Sequence, residues 1–106
     1  MQYLKIKRKA GLLVCELIGE IDHHTAKPIR QRIDEEILVG KPESVVLDYS
    51  AVTFMDSSGI AVVINALRQM NKLEGKLILA GIQSQPRKVF RTSGLDKLVE
   101  IKEGVF

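Results

Sequence analysis

The chain contains a single cysteine and no tryptophan, and each of these facts argues against certain classes of function. Cys15 alone cannot form an internal disulfide and argues against a cysteine-based metal site, which suits a reducing cytosolic compartment. Two tyrosines and three phenylalanines offer few rings to stack on bases, so nucleic-acid binding is poorly supported. The longest apolar run, Ile60–Ile64, is far shorter than the ~20 residues of a membrane span. We therefore expect a soluble, cytoplasmic protein without a direct nucleic-acid or membrane partner.

The size and charge of the chain fit one compact domain, residues 1–106. With 106 residues and 45% hydrophobic content, it can bury roughly two thirds of its unfolded surface. Its net charge of +3 comes from scattered basic residues, apart from one cluster near the N-terminus. The cluster consists of Lys5, Lys7, Arg8 and Lys9. Lysines discourage aggregation at the edge of a sheet, and this interpretation is favoured over binding to an anionic membrane surface.

The first part of the chain predicts a hairpin. Alternating residues from Leu4 lead through a turn at Gly11 into the apolar stretch Leu12–Ile18, which is typical of two antiparallel strands. Residues 19–25 are a predicted connection to the next element.

A helix is predicted to follow, because apolar residues recur at spacings of three, four and four. This buried stripe consists of Ala26, Ile29, Ile33 and Ile37. Asp22 or Thr25 is expected to cap the helix. Pro28 falls within its predicted first turn, where the missing N–H does no harm.

The remaining pattern alternates strands with helices. Val45–Leu47 is an unalternating apolar strand of the kind that helices cover on both faces. A helix is predicted from Ser57 or Ser58 to a stop at Gly75, and its buried side is expected to consist of Ile60, Val63, Ile64, Leu67 and Met70. Next come a strand at Leu77–Ala80, a helix from Ser84 to Ser93 that carries Pro86, Val89 and Phe90, and a strand at Leu98–Ile101.

This order predicts an α/β domain with a mostly parallel sheet, an N-terminal antiparallel hairpin, and helices that follow the strands. Ligands and partners usually meet such sheets at the carboxyl ends of the strands. Asp22, His23 and His24 follow the second strand, and Asp56 and Ser57 follow the third. We expect both segments to lie on one rim.

Ser57 and Ser58 are placed where a helix begins, and a hydroxyl there is available for phosphorylation. The unpaired N–H groups and the positive dipole end of the helix favour a phosphate. Helix capping explains one of the two serines. Gly59 costs up to ~1 kcal/mol relative to alanine inside a helix, which indicates that a partner backbone comes close to it. Ala61, in the polar sector of the helix, would let a partner pack closely.

The same residues allow two other interpretations, both disfavoured. His23 and His24 invite a metal site, but adjacent loop residues point in different directions and no further ligands complete the set. A hydrolase built on Ser57, a histidine and Asp22 or Asp56 lacks the strained nucleophile turn of Gly-x-Ser-x-Gly, and the chain leaves little room for a substrate pocket. We expect neither an enzyme nor a bound cofactor or metal.

Two segments, residues 19–26 and 54–60, together resemble the anti-sigma factor antagonists of spore-forming bacteria, especially those of the sporulation pathway. The resemblance extends over essentially the whole chain, and Thr92–Leu95 resembles the end of that family's third helix. It implies the STAS fold, which sulphate transporter tails share.

The resemblance also implies a mechanism known as partner switching. The unphosphorylated antagonist binds an anti-sigma factor that is also a serine kinase, which releases the sigma factor, and phosphorylation reverses the binding. The acceptor in the family's motif corresponds to Ser57, and Ser58 to a neighbour that is not the main acceptor. The kinase would supply ATP and magnesium, and a metal-dependent serine phosphatase would restore the hydroxyl. The partner-binding residues are expected to be Asp22, His23, Thr25, Asp56, Ser57, Ser58, Gly59 and Ala61.

Two questions stay open at the level of the sequence. The first is whether the protein is instead a STAS scaffold that binds a nucleotide, a lipid or another signalling protein without phosphorylation. The second is which pathway it serves, because the same domain works in sporulation and in general stress responses; the paired histidines favour sporulation.

Overall fold

A computed structural model describes residues 2–103, so the two ends of the predicted 1–106 domain lie outside the described residues. Eight regular elements follow one another: β1 (Leu4–Lys9), β2 (Leu12–Ile21), α1 (His23–Gly40), β3 (Ser44–Met55), α2 (Ser58–Lys72), β4 (Lys76–Ala80), α3 (Ser84–Ser93) and β5 (Glu100–Lys102). A short 3-10 turn at Leu95–Lys97 precedes β5. Within residues 2–103, no helix combines the length and the apolar character needed to cross a membrane.

The five strands form one sheet in chain order, β1-β2-β3-β4-β5. β1 and β2 are an antiparallel hairpin joined at Gly11, whose φ is +74°, and the other strands are parallel. The predicted fold class is therefore confirmed. β1 is an edge strand, as its lysines indicated, and two of its basic residues pair with carboxylates. Lys7 Nζ lies 2.8 Å from Glu16 Oε1, and Arg8 Nη2 lies 2.6 Å from Glu36 Oε1 of α1.

All three helices pack on one face of the sheet, so the prediction that helices cover both faces is wrong. The main core joins alternate strand residues, such as Leu13, Leu47 and Leu79, to the buried sides of α1, α2 and α3. The opposite face has a small apolar cluster centred on Val46 and Ile78 and no helix residue. Parallel strands connected in chain order by crossovers of one hand place every helix on the same side.

The predicted stripe of α1 is confirmed, because its four residues are all buried. The buried face of α2 differs from the prediction. It consists of Gly59, Val62, Val63, Ala66 and Met70. Ile64, expected in the core, is 39% exposed, and Ile60 and Leu67 are only partly buried. α2 packs against α1 as well as the sheet, and the small side chain of Ala66 allows that close approach.

β2 and β3 are longer than predicted, and both continue to the rim. β2 ends at Ile21 rather than Ile18, and β3 at Met55 rather than Leu47. The second half of β3 was missed because two register shifts relative to β2 break its alternation, so its buried residues recur every third position. They are Tyr49, Val52 and Met55.

α1 begins at His23, inside the segment predicted as a connection. Pro28 is therefore the sixth helical residue, beyond the first turn. α3 has the predicted bounds and ends at Gly94, whose φ is +78°. The Cys15 side chain is fully buried, and this burial raises the pKa of its thiol to about 12. It packs as a small apolar residue, as expected.

Candidate functional site

The two predicted segments lie side by side at the carboxyl ends of β2 and β3. Ile21 and Met55 are the last paired residues of these strands. The N–H of Asp56 then donates to the carbonyl of Ile21 at 3.0 Å, which ties the start of one segment to the end of the neighbouring strand. The prediction that both segments share one rim is confirmed.

Asp22 and Thr25 hold the start of α1 in a capping box. One oxygen of the Asp22 carboxylate accepts from the N–H groups of His24 at 2.9 Å and Thr25 at 3.0 Å. The Thr25 hydroxyl accepts from the N–H of Asp22 at 3.0 Å and donates to the carbonyl of Glu20 at 2.9 Å. The expected cap is thus confirmed, with both candidates taking part. Their contact with a partner stays a prediction, while His23 and His24 are exposed beside them.

We expect Asp22 to make stability depend on pH in acid. The N–H of Thr25, and less strongly that of His24, hold the pKa of the Asp22 carboxyl below its usual value. A depressed pKa means that the stabilisation is present above about pH 4 and is lost as the pH falls through the folded pKa. Asp22→Asn keeps a capping oxygen but cannot titrate. Its melting temperature should therefore fall less between pH 5 and pH 2 than that of the native protein.

Glu100→Gln on β5 is the matched control for this experiment, because it also removes one exposed carboxylate. Thermal unfolding followed by circular dichroism gives both profiles. Identical acid profiles for Asp22→Asn and the native chain would contradict the assignment of this carboxylate as a titrating cap.

Ser57 presents a hydroxyl that the fold does not use. Asp56, rather than either serine, satisfies the start of α2, because its carboxylate accepts from the N–H of Ser58 at 2.8 Å. Ser57 occupies the N-cap position without a capping bond from its side chain. Within residues 2–103, its hydroxyl has no hydrogen-bond partner, and the residue is exposed, whereas Ser58 is half-buried. The prediction that a serine caps this helix is wrong, and modification of Ser57 stays a prediction.

Gly59 is explained by packing within the domain. It is buried, and a Cβ at this position would lie 2.5 Å from the sulfur of Met55 and 3.3 Å from Cγ2 of Ile21. The side chains that close the ends of β2 and β3 therefore require a glycine here. Packing inside the domain accounts for this glycine without a partner, and its contact with a partner stays a prediction.

Two clefts flank the start of α2. The groove toward α3 has a volume of about 450 Å³ and is lined by Ser57, Ile60, Lys88, Val89, Thr92 and Ser93. The cleft toward α1, of about 270 Å³, is lined by His23, Ala26, Lys27, Arg30, Ser58 and Ala61. Ser57 and Ser58 thus face different surroundings, one mainly apolar and one basic. Ala61 is exposed, and its contact with a partner stays a prediction.

Gln85 of α3 supports the Ser57 segment, and sequence reasoning missed it. Its amide group accepts from the N–H of Met55 and donates to the carbonyl of Met55, both at 2.8 Å. β4 pairs with β3 only as far as Asp48, so the end of β3 needs this substitute for a neighbouring strand. Lys27, Arg30 and Lys88 were also missed. No local motif marks them, because they reach the site only through the packing of α1 and α3.

Among the described residues, the surroundings of Ser57 lack one feature that a serine nucleophile requires. A serine nucleophile needs a base within hydrogen-bond reach. Here the Ser57 hydroxyl contacts neither imidazole within the described residues, and the rings of His23 and His24 lie 3.9 Å apart, against each other. Residues 2–103 also contain no group of three or more His, Cys, Asp or Glu side chains that could hold a metal ion.

Comparison with known proteins agrees with the fold. Residues 3–105 match the model of the STAS domain family. The anti-sigma F factor antagonist of Paenibacillus polymyxa is 31% identical over 98 residues, which cover 92% of this chain and 84% of the relative. The unphosphorylated anti-sigma factor antagonist SpoIIAA superposes with a TM-score of 0.86 at 29% identity, over 96% of this chain and 88% of that structure. Phosphorylated SpoIIAA of Bacillus gives a TM-score of 0.78 at 29% identity, over 96% and 91%.

The chain therefore belongs to the STAS domain family. Within that family, the relatives that it matches over most of its length are anti-sigma factor antagonists.

Proposed function

We propose that this protein is an anti-sigma factor antagonist controlled by phosphorylation of Ser57. In its unmodified form it binds an anti-sigma factor that is also a serine kinase, and the sigma factor is released. The observation that carries the proposal is the exposed Ser57 hydroxyl, which has no internal hydrogen bond and lies at the start of α2. The relative SpoIIAA is known in unphosphorylated and phosphorylated forms, which supports the same cycle here.

The covalent step transfers one phosphoryl group. The Ser57 oxygen attacks the γ-phosphorus of ATP, a new P–O bond forms, the bond to the β-phosphate oxygen breaks, and ADP leaves. The hydroxyl proton passes to a base of the kinase, which also holds Mg²⁺. A separate serine phosphatase hydrolyses the phosphoserine and resets the protein. This cycle takes place in the cytoplasm, and the likeness to anti-sigma F antagonists favours the sporulation pathway.

The interface with the kinase comprises the exposed parts of the rim. His23, Ser57 and Ala61 are exposed and meet the partner directly. Asp22, Thr25 and Asp56 act by fixing the backbone that presents them, because their side chains bond to N–H groups at the starts of α1 and α2.

Intact mass spectrometry tests the proposal. After incubation with ATP, Mg²⁺ and the cognate anti-sigma factor kinase, we expect the mass of the native chain to rise by one phosphate. Ser57→Ala should show no gain, because the acceptor oxygen is missing. Ser58→Ala is the matched control and should gain one phosphate as the native chain does.

Failure of the native chain to gain a phosphate would overturn the proposal and favour a STAS scaffold that works without modification. A gain that persists in Ser57→Ala and disappears in Ser58→Ala would overturn the choice of acceptor.

A further inference from the structure

Lys88 is the only ionisable side chain among the six residues that line the groove between α2 and α3. Ser57 and Ile60 form one wall of this groove, and Lys88 and Val89 belong to the other. The hydroxyl of Ser93 is already engaged, because it donates to the carbonyl of Phe90 at 2.9 Å. Lys88 and Ser57 therefore line the same groove, and none of the six lining residues carries a carboxylate.

The charge of Lys88 is also unpaired, in contrast to that of the preceding residue. Arg87 forms an ion pair with Glu103 at 3.1 Å. Within residues 2–103, Lys88 has no hydrogen-bond or ion-pair partner. A lysine that lines the same groove as the proposed modification site thus has no neutralising partner in the part of the chain that the structure describes.

The position of Lys88 relative to Ser57 is held by packing on either side of it. Gln85, three residues earlier, is bonded to the backbone of Met55 at the end of β3. Phe90, two residues later, is fully buried and contacts the ring of Tyr49 edge-on, with centroids 5.4 Å apart. Because β3 leads directly into Ser57, these contacts fix the start of α2 and α3 on the same support.

We propose that Lys88 is the counter-ion of the phosphate on Ser57, so that phosphorylation turns the new group into the groove between α2 and α3. This inference rests on the proposed function, because it needs Ser57 to be modified. The phosphate brings about −1.5 to −2 charges and strong acceptor oxygens. Paired with Lys88, the phosphate covers the apolar lining of the groove and replaces the Ser57 hydroxyl. The unmodified protein offers both the lining and the hydroxyl to a partner, so phosphorylation removes both.

Other charged groups act on this phosphate from the neighbouring elements. Asp56 precedes Ser57 and repels the phosphate, while its carboxylate is held by the N–H of Ser58. On the α1 side, His23, Lys27 and Arg30 attract anions, but they line the cleft that contains Ser58. The decisive comparison is therefore between Lys88 and a cation of that cleft, such as Arg30.

Phosphorus NMR on protein made with phosphoserine at position 57 tests the inference without any kinase. A nearby cation favours the dianion and lowers the second pKa of the phosphate. An exposed ion pair between the phosphate and a lysine shifts this second pKa by roughly half a pH unit. We expect Lys88→Gln to raise that pKa by this amount, and Lys88→Arg to leave it near the native value.

Two further variants serve as controls in the same titration. Lys76→Gln removes an equal charge at the amino end of β4, far from the rim, and should leave the pKa unchanged. Arg30→Gln should also leave it unchanged. An unaltered pKa in Lys88→Gln would overturn the inference, and so would a shift that appears in Arg30→Gln instead.

The failure of this inference is distinguishable from failure of the proposed function. The phosphoserine is introduced during translation, so the titration reports on Lys88 even if no kinase modifies the chain. A normal phosphate gain by mass with no effect of Lys88→Gln would reject the counter-ion alone.

Discussion

The phosphorylated protein is expected to bind its anti-sigma factor kinase about a thousandfold more weakly than the unmodified protein. Ser57 is exposed at the rim, so a phosphate there lies in the interface itself. A phosphate adds about −1.5 to −2 charges. Burying such an anion against a partner costs several kcal/mol, and a lysine paired with it adds a second charge that must lose its hydration. A loss of ~4 kcal/mol in binding free energy corresponds to a thousandfold change in Kd.

The stability of the domain should respond very differently from its affinity. A negative group at a helix N-terminus is favourable by roughly 0.3–1 kcal/mol. The melting temperature is therefore expected to rise by no more than about 5 °C on phosphorylation. The off-state is then produced at the interface, without unfolding or reshaping of the domain.

Calorimetric titration of the kinase with four proteins checks this prediction: the unmodified chain, the phosphorylated chain, Ser57→Ala and Ser58→Ala. Ser57→Ala should bind tightly even after incubation with ATP, since it cannot be switched off. Ser58→Ala should lose affinity on incubation as the native chain does. Equal affinities of the unmodified and phosphorylated chains would contradict the mechanism.

Gly59→Ala is expected to destabilise the domain by about 1–3 kcal/mol, which is the usual cost of overpacking a well-filled site. The added Cβ would lie 2.5 Å from the sulfur and 2.6 Å from Cγ of Met55, neither of which is the free end of that side chain. The sign of the effect is informative, because alanine is better than glycine in a helix by up to ~1 kcal/mol. A net loss of stability therefore measures the collision with Met55.

The collision can be removed by making the same change in a Met55→Ala background. Met55→Ala alone should cost about 2–5 kcal/mol, because it leaves a cavity. In that background Gly59→Ala should stabilise, since the clash is gone and the helix preference remains. Urea unfolding of the native chain, both single variants and the double variant completes the cycle. Destabilisation by the same amount in both backgrounds would reject the packing explanation of Gly59.

Local signals in the sequence were sufficient for α1 and α3. The spacing of Ala26, Ile29, Ile33 and Ile37 predicted the buried side of α1 because a single face of that helix meets the core. Pro86 and Gly94 marked the ends of α3, because proline is tolerated in a first helical turn and a glycine with positive φ ends a helix. The shared rim was also predictable, since it follows from chain direction in a parallel sheet.

Other features depend on contacts between elements distant in sequence. β3 was predicted too short because two extra residues relative to β2 interrupt its alternation between Asp48 and Met55. The face of α2 was misassigned because α1 as well as the sheet covers it, which buries Ala66 and leaves Ile64 partly in solvent. Gln85 could not be identified, because its partner is the backbone of Met55, thirty residues earlier.

The order of the strands has a consequence for how the chain matures. Because each strand joins the one that was made before it, the sheet can assemble as the ribosome delivers it, from the N-terminus onward. The amide of Gln85 is delivered late, so a nascent chain that ends before α3 lacks the support for Met55. The segment that leads into Ser57 therefore gains this support only after α3 has been synthesised.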